Sequence, residues 1–247
     1  MGVKKPLFYN QIAALSHQRH SACYIDDSTD FLFAKETNSV PVGVSEFASA
    51  CHSFPIVFLL EDNQVVPIVV LGIQAGLNQW VSSEGEWSGQ YIPAYVRRYP
   101  FIAVRTSESE STLCIDENSD KLNRDGRGTP LFNDDKPSEF LEQVCGFSEA
   151  YEAESVRNHK LSTLLQEYDL LEPVQLNDKS EPHKALLSGF MVVSRSRLEQ
   201  LDKESIARLH GTGALELIYQ HLLSLRCFQQ LKLKPQHSDN AMAEGAA

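Results

Sequence analysis

Short apolar runs separated by polar turn residues dominate the chain between about residues 22 and 116. The runs PIVFLL (55–60) and VVPIVVLGI (65–73) flank the polar segment EDNQ, a pattern that is typical of a β-hairpin. Both runs are apolar on both faces, so we expect this hairpin in the middle of a sheet. Pro67 has no N–H to donate, and we therefore expect it at a bulge or on an outward-facing position.

A second hairpin follows the same pattern. FIAVRT (101–106) and STLCID (111–116) are separated by the polar segment SESE. The first half of the chain is therefore predicted to form an antiparallel, meandering sheet. Residues 117–137 are rich in Asp, Asn, Gly and Pro and contain few apolar residues, which predicts a long surface loop.

The spacing of apolar residues becomes helical after this loop. Four residues recur three or four positions apart: Phe140, Val144, Phe147 and Tyr151. Ser138 stands where an N-cap is expected, and Pro173 ends the pattern. The sequence therefore predicts one long or broken helix between these two residues.

Two further strands and a second helical region complete the pattern. LLEPVQL (170–176) and KALLSGFMVVS (184–194) are predicted strands, and residues 198–231 are helical again. Asp202 is the expected N-cap of a short helix, and Gly211 is expected at its C′ position. The last helix, GALELIYQHLLSLRCFQQL, is apolar nearly all round, so we expect it to be buried.

These elements predict an α+β fold, in which a mostly antiparallel sheet from the N-terminal half packs with helices from the C-terminal half. We expect residues 1–234 to form a single domain. A sub-boundary in the loop 117–137 is left open, because the strands after residue 170 can return to the same sheet. Residues 235–247 show no periodic pattern and are expected to form a disordered tail.

Charge and hydropathy indicate which partners and which cellular location to expect. Of 247 residues, 22 are Lys or Arg and 33 are Asp or Glu, which gives a net charge of −11. An acidic chain is repelled by phosphate backbones, so nucleic acid is not an expected partner. The longest apolar stretch, residues 65–73, is far shorter than the roughly 20 residues of a membrane span. We find no signal peptide pattern at the N-terminus and expect a cytoplasmic protein.

Signatures of common catalytic and cofactor sites are missing from the sequence. The chain has no G-x-S-x-G, G-x-G-x-x-G or G-x-x-x-x-G-K-[ST] motif. Residues 121–132 superficially match a calcium loop, but Lys121 and Phe132 occupy the two positions where carboxylates matter most, which favours a solvated turn. The five cysteines and eight histidines show no metal-ligand spacing. The sequence thus predicts no cofactor and no metal, with the cysteines reduced.

The most site-like segment is YIPAYVRRYPFIAV, in which two adjacent arginines lie among tyrosines and aliphatic residues. Neighbouring side chains diverge on a strand and on a helix. We therefore expect one of Arg97 and Arg98 to face solvent or the acidic loops. The other is expected to stack on Tyr95 or Tyr99, where its guanidinium can bind a carboxylate.

The source of that carboxylate separates two interpretations. If it belongs to Asp116, the arginine forms an internal ion pair; if it belongs to a ligand, the arginine marks a binding site. His52 and Trp80 lie in the same strand-rich half and complete the candidate set. The predicted ligand-binding residues are Tyr91, Tyr95, Arg97, Arg98, Asp116, His52 and Trp80.

Six segments, in their order and spacing, carry a resemblance to a known family: LFYNQIAALSHQRH, TNSVPVGVSEFASACHSFPIVF, YIPAYVRRYPFIAV, LCIDENS, LLEPVQ and GALELIYQHLLSL. Together they resemble the bacterial SapC family over about residues 5–233. That family is named for an association with surface-layer proteins and has no settled catalytic activity. Its members tend to be encoded near flavin-dependent halogenase-like proteins, cupin-like proteins and outer-membrane receptors, so the resemblance implies a protein partner.

Two functional hypotheses follow. The first is a non-enzymatic cytosolic accessory or binding protein of the SapC type, acting with a halogenase-like or cupin-like partner or in a process related to the surface layer. The second is an enzyme, or a substrate-handling subunit, that acts on an anionic small molecule or peptide through an arginine- and tyrosine-lined pocket.

Overall fold

The computed structural model describes residues 6–107, 110–178, 183 and 185–231. Antiparallel strands lie mostly in the N-terminal half and the helices pack toward the C-terminal half, so the predicted α+β class is confirmed. The strands of this part are β1 (Ile12–Ala14), β2 (Tyr24–Ile25), β3 (Ser39–Pro41), β4 (Ile56–Glu61), β5 (Gln64–Val70), β6 (Phe101–Arg105), β7 (Ser111–Asp116), β8 (Leu122–Asn123), β9 (Thr129–Pro130), β10 (Phe132–Asn133), β11 (Lys136–Pro137), β12 (Leu171–Asn177) and β13 (Ala185–Val193). The helices are α1 (His17–His20), α2 (Phe47–Ala50), α3 (Ala94–Arg97), α4 (Glu139–Glu167), α5 (Arg195–Glu199), α6 (Lys203–Gly211) and α7 (Ala214–Ser224).

The largest sheet has five strands in the order β12-β13-β4-β5-β3, with antiparallel neighbours throughout. The predicted hairpin of β4 and β5 lies inside it and is confirmed. Glu61 pairs with Gln64, and the two residues between them, Asp62 and Asn63, have φ of 48° and 63°. Left-handed φ at both central positions is what a two-residue turn needs to follow the twist of the strands.

Pro67 is buried and pairs with Phe58 in a regular register, so the expected bulge or outward-facing position is wrong. The carbonyl of Pro67 accepts a hydrogen bond from the N–H of Val42 at 3.1 Å. In an ordinary ladder the residue at position 67 would donate back to the Val42 carbonyl. Here the side-chain amide of Asn158 on α4 donates to that carbonyl at 3.1 Å, which supplies the bond that proline cannot make.

A second sheet has the order β1-β7-β6 and contains the second predicted hairpin, which is also confirmed. Phe101 pairs with Ile115 across this hairpin. The third strand, β1, comes from the N-terminal segment, where Ile12 pairs with Asp116. The N-terminal segment therefore adds a strand that the hydrophobic pattern did not indicate.

Residues 117–137 are more ordered than a surface loop, and that prediction is wrong. β8 and β9 both pair with β2, while β10 pairs with β11. Leu131 is fully buried among the side chains of the second sheet and α4. One well-placed leucine and backbone pairing hold this polar segment, although its composition is that of a loop. A division of the chain at this segment stays a prediction, and the predicted tail 235–247 lies outside the described residues.

The predicted helix after the loop is a single unbroken helix, α4, of 29 residues. Ser138 is its N-cap, as predicted, and accepts a hydrogen bond from the N–H of Leu141 at 3.2 Å. The helix packs on β5 and β6, so it spans both main sheets. Within the described residues, no helix is long and apolar enough to cross a membrane.

The C-terminal helices follow the predicted pattern with two corrections. Asp202 caps α6 and accepts from the N–H of Ser205 at 2.7 Å, as expected. Gly211 ends α6, and the left-handed C′ residue is Gly213, with φ of 76°. Helix α7 is buried on one face only, because Tyr219 is 55% and Leu223 41% exposed.

His221 of α7 is fully buried and connects the helix to the five-stranded sheet, which we call the central sheet. One ring nitrogen, Nδ1, donates to the carbonyl of Ile56 at 2.9 Å, and Nε2 accepts from the N–H of Val193 at 3.0 Å. Burial lowers the pKa of His221 from 6.5 to about 4. The imidazole is therefore neutral in the folded protein at neutral pH.

We expect the protein to lose stability on acidification because of His221. Below pH 6.5 the unfolded chain takes up a proton that the folded chain takes up only near pH 4, so the stabilisation falls as the pH falls through this window. Urea unfolding at pH 7 and pH 5 should show that wild type loses about 2 kcal/mol more than His221→Gln. The exposed His210 provides the control: His210→Gln should keep the wild-type slope, and an unchanged slope in His221→Gln would contradict the assignment.

Candidate functional site

Arg97 is the last residue of helix α3 and Arg98 is its C-cap, and the buried carboxylate of Glu46 binds the start of this helix. One oxygen of Glu46 accepts from the N–H of Ala94 at 2.7 Å and from the hydroxyl of Tyr91 at 2.7 Å. The other accepts from the N–H of Gly43 at 2.9 Å. Burial and the Glu46 carboxylate raise the pKa of Tyr91 to about 12, so this hydroxyl remains a donor at neutral pH. These bonds hold the segment that leads into α3.

Arg98 lies among three tyrosine rings, which we call the tyrosine cluster: Tyr9, Tyr95 and Tyr151. Its guanidinium carbon is 4.0 Å from the ring centroid of Tyr95, 4.6 Å from that of Tyr151 and 5.8 Å from that of Tyr9. Burial raises the pKa values of Tyr9 and Tyr151, so these rings stay uncharged. Cation–π attraction therefore stabilises the arginine.

Arg98 lacks an anionic partner in the part of the chain that the structure describes. Its Nε is buried and has no hydrogen-bond acceptor there, and no carboxylate there lies within ion-pair distance of its guanidinium. A largely buried arginine is usually paired with an acidic group within the fold. The tyrosine cluster accommodates the cation without neutralising its charge.

Arg97 points another way, so the predicted divergence of the two arginines is confirmed. It is exposed, and its Nε donates to the carbonyl of Ile92 at 2.9 Å. Its guanidinium carbon lies 5.3 Å from the ring centroid of Phe147 and 5.9 Å from that of Tyr91. One of the two arginines therefore faces solvent, as expected.

Asp116 does not pair with either arginine, so the first of the two interpretations, an internal ion pair with Asp116, is wrong. Its buried carboxylate accepts from the backbone N–H groups of Asn10 and Gln11, each at 2.7 Å, and of Asn118 at 3.2 Å. The hydroxyl of Tyr99 donates to it at 3.4 Å. These donors use the acceptor positions of Asp116, which thereby joins the N-terminal segment to β7.

The arginines border an open cavity of about 420 Å³, which we call the arginine groove. It runs between α4 and the start of β6, and its lining is Ile25, Asp26, Arg97, Arg98, Tyr99, Pro100, Phe101, Lys121, Phe140, Gln143, Val144, Phe147 and Ser148. The charged residues of the lining are three cations, Arg97, Arg98 and Lys121, and one carboxylate, Asp26. Asp26 already forms an ion pair at 3.3 Å with Arg127, which is outside the lining. The groove is therefore locally positive on an acidic protein and can attract an anion.

Of the seven predicted site residues, only Arg97 and Arg98 line the arginine groove. Tyr91 and Tyr95 contact the arginines from outside the groove, and His52 and Trp80 lie elsewhere. His52 is exposed, with its Nδ1 3.4 Å from a guanidinium nitrogen of Arg226. Trp80 packs edge-on against Phe54, with ring centroids 5.2 Å apart. Neither residue lines the arginine groove. The structure thus places Tyr91 next to Arg97 and Tyr95 next to Arg98. Asp116 is hydrogen-bonded to Tyr99, the residue after Arg98, while His52 and Trp80 lie apart from this group.

Several important neighbours of the arginines were absent from the predicted set. Phe147 and Tyr151 had a usable signal, because their helical spacing with Phe140 places them on one face of α4. Tyr9 and Glu46 had none, since both reach the arginine segment from distant parts of the chain. Only the folded chain reveals these contacts.

The chemistry available in the groove is that of anion binding. No histidine or cysteine occurs among the described residues that line it. Within the described ranges, no group of three or more His, Cys, Asp or Glu side chains is arranged to hold a metal ion. The lining instead combines guanidinium groups with aromatic walls, which suits a carboxylate next to a compact apolar or aromatic side chain.

Comparison with known proteins agrees with the resemblance read from the sequence. A search of curated proteins found no significant match. A search of solved structures likewise found no significant match. The family model described as SapC matches residues 15–231, which is most of the chain, and the protein therefore belongs to the SapC family.

Proposed function

We propose that this chain is a cytoplasmic accessory protein without catalytic activity of its own, and that the arginine groove binds an acidic segment of a partner protein. The observation that carries the proposal is Arg98, which lines an open cavity and whose guanidinium, packed in the tyrosine cluster, has no carboxylate partner among the described residues. A carboxylate from outside would provide the anionic partner that the described part of the chain does not.

The energetics favour a carboxylate at this position. Desolvating a guanidinium is costly, and the cost is offset when its planar N–H groups bind both oxygens of a carboxylate. Arg98 is already largely desolvated before any ligand arrives, so part of this cost falls on folding. Arg97 and Lys121 at the border of the groove add attraction for the same negative charge.

The aromatic wall supports a peptide as the source of the carboxylate. Phe140, Val144 and Phe147 line one side of the groove on successive turns of α4. An apolar side chain next to an acidic residue would lie against this wall while the carboxylate meets the arginines. Combining a charged contact with an apolar one is how short peptide segments are commonly selected.

The identity of the partner is proposed from the family resemblance. A flavin-dependent halogenase-like protein or a cupin-like protein is the first candidate, and a component of a process related to the surface layer is the second. A small anionic metabolite is the alternative occupant, in which case the chain is an enzyme or a substrate-handling subunit. The groove volume of about 420 Å³ favours this alternative, because it lies in the range of small-molecule sites.

Arg98→Lys is expected to weaken partner binding at least about tenfold, because lysine keeps the charge but loses the bidentate fork. The affinity-tagged chain would be isolated from its native cells, and the stoichiometric partner identified and purified. Isothermal titration of that partner would then compare wild type, Arg97→Lys and Arg98→Lys. Arg105→Lys is the matched control, since Arg105 is exposed on β6 and does not line the groove.

The outcomes distinguish the two occupants. Loss of affinity in Arg98→Lys at an unchanged thermal midpoint supports the acidic segment. A stoichiometric anionic metabolite in native mass spectrometry, lost in Arg98→Lys, would favour the small-molecule alternative. Equal affinities for the control and both groove variants, with no bound metabolite, would remove the arginine groove from the function.

A further inference from the structure

A second groove lies toward the other end of α4, between that helix and the α6–α7 pair. Its volume is about 470 Å³, and its lining is Val44, Arg157, His159, Lys160, Leu161, Thr163, Leu164, Glu167, Arg208, Thr212, Ala214 and Leu217. We call it the aliphatic groove. Lys160 follows Ser148 of the arginine groove by twelve residues, or about 18 Å along the helix axis, so the two grooves are separate.

The floor of the aliphatic groove is apolar, and the described residues of its lining include no Phe, Tyr or Trp. Val44, Leu164 and Ala214 are buried within the main core, and Leu217 packs against that core from the groove side. Water in contact with such a floor finds few hydrogen-bond partners there. Displacement of this water by an aliphatic body is favourable for the same reason that core burial is favourable.

The border of the groove is basic. Arg157 pairs with Glu154, which is not part of the lining, and Arg208 forms a two-point ion pair with Glu167 across the groove. Lys160 has neither an ion-pair partner nor a hydrogen-bonded side-chain partner among the described residues. Two of the three cations in the lining are thus paired with carboxylates, and Lys160 is the lining cation without such a partner among the described residues, on a chain whose net charge is −11.

We propose that the aliphatic groove binds an amphipathic anion, namely a carboxylate carried on an unbranched aliphatic chain. The chain lies on the floor of valine, leucine and alanine, and the carboxylate meets the ammonium group of Lys160. The aliphatic floor separates this ligand class from the one we propose for the arginine groove, whose walls are aromatic. The inference is independent of that first proposal, since the two grooves share no lining residue.

The test is isothermal titration of the full chain with decanoate, decan-1-ol and acetate. We expect one decanoate to bind per chain, with decan-1-ol at least about tenfold weaker and acetate undetectable. Affinity should rise by up to about fourfold for each methylene added from hexanoate to decanoate. Arg98→Lys should bind decanoate as wild type does, which places the ligand outside the arginine groove.

Lys160→Gln is the informative variant, because Lys160 is exposed and its replacement leaves the core intact. It should weaken decanoate binding about tenfold and leave decan-1-ol binding unchanged. Lys203→Gln on α6 is the matched control, since Lys203 is exposed and outside the groove. Undetectable decanoate binding, several decanoates per chain, or equal affinities in Lys160→Gln and the control would each overturn the proposal.

Discussion

Asp116→Asn is expected to lower the free energy of unfolding by about 2 to 4 kcal/mol. The buried carboxylate accepts hydrogen bonds from the backbone N–H groups of Asn10, Gln11 and Asn118 and from the hydroxyl of Tyr99. Asparagine has one carbonyl oxygen, and its NH₂ group would face donors instead of acceptors. At least one of these partly buried N–H groups would therefore lose its partner.

Urea unfolding at pH 7 measures this effect. Asp120→Asn is the matched control, because Asp120 lies on the same turn but is exposed, and its replacement should change the stability by less than about 0.5 kcal/mol. A similar small change in both variants would show that the N-terminal segment does not depend on Asp116. Asp116 holds the N-terminal segment, and the N–H of Leu7 in that segment donates to the hydroxyl of Tyr95. We therefore also expect Asp116→Asn to weaken the contact between the N-terminal segment and the tyrosine cluster.

Leu222→Ala is expected to destabilise the protein by about 2 to 5 kcal/mol, the range for a buried leucine in a packed core. Leu222 is only 6% exposed and belongs to the main core with Ile218 and Leu209. Removing its side-chain carbons leaves a cavity where α7 packs against α2 and the central sheet. The loss should appear as a lower urea midpoint at an unchanged m-value.

Leu223→Ala tests the same helix on its other face. Leu223 is 41% exposed, so its replacement keeps the helix propensity high and should cost less than about 1 kcal/mol. The contrast between adjacent residues separates core packing from any general effect on α7. Equal losses in the two variants would mean that the exposed face of α7 is also covered, and a protein interface would become the better explanation for its apolar residues.

Local signals accounted for much of the fold. The β4–β5 hairpin followed from two apolar runs and a polar turn, because the turn conformation depends on only two residues. The caps of α4 and α6, Ser138 and Asp202, were predictable for the same reason, since a cap bonds an N–H three residues away. Interactions between residues two or three positions apart can be predicted from a short segment of sequence.

Distant contacts decided the rest. The burial of Pro67 depends on Asn158, which lies far along the chain and supplies the missing hydrogen bond. Order in residues 117–137 depends on pairing with Tyr24 and Ile25. Composition indicates the backbone conformation that a segment favours in isolation. In residues 117–137, strand pairing with a distant segment outweighed that local preference.

The candidate site divides in the same way. Sequence alone determined that Arg97 and Arg98 would diverge, because the backbone geometry of any regular element separates adjacent side chains. It also determined the SapC membership, which rests on residues spread over most of the chain. Only the tertiary structure decided that Tyr9 and Tyr151 surround Arg98 and that backbone amides bind Asp116. The physical reason is that a buried charge interacts with the groups that folding brings within a few ångströms of it. These groups come from segments that are distant in the sequence, and no local pattern connects them.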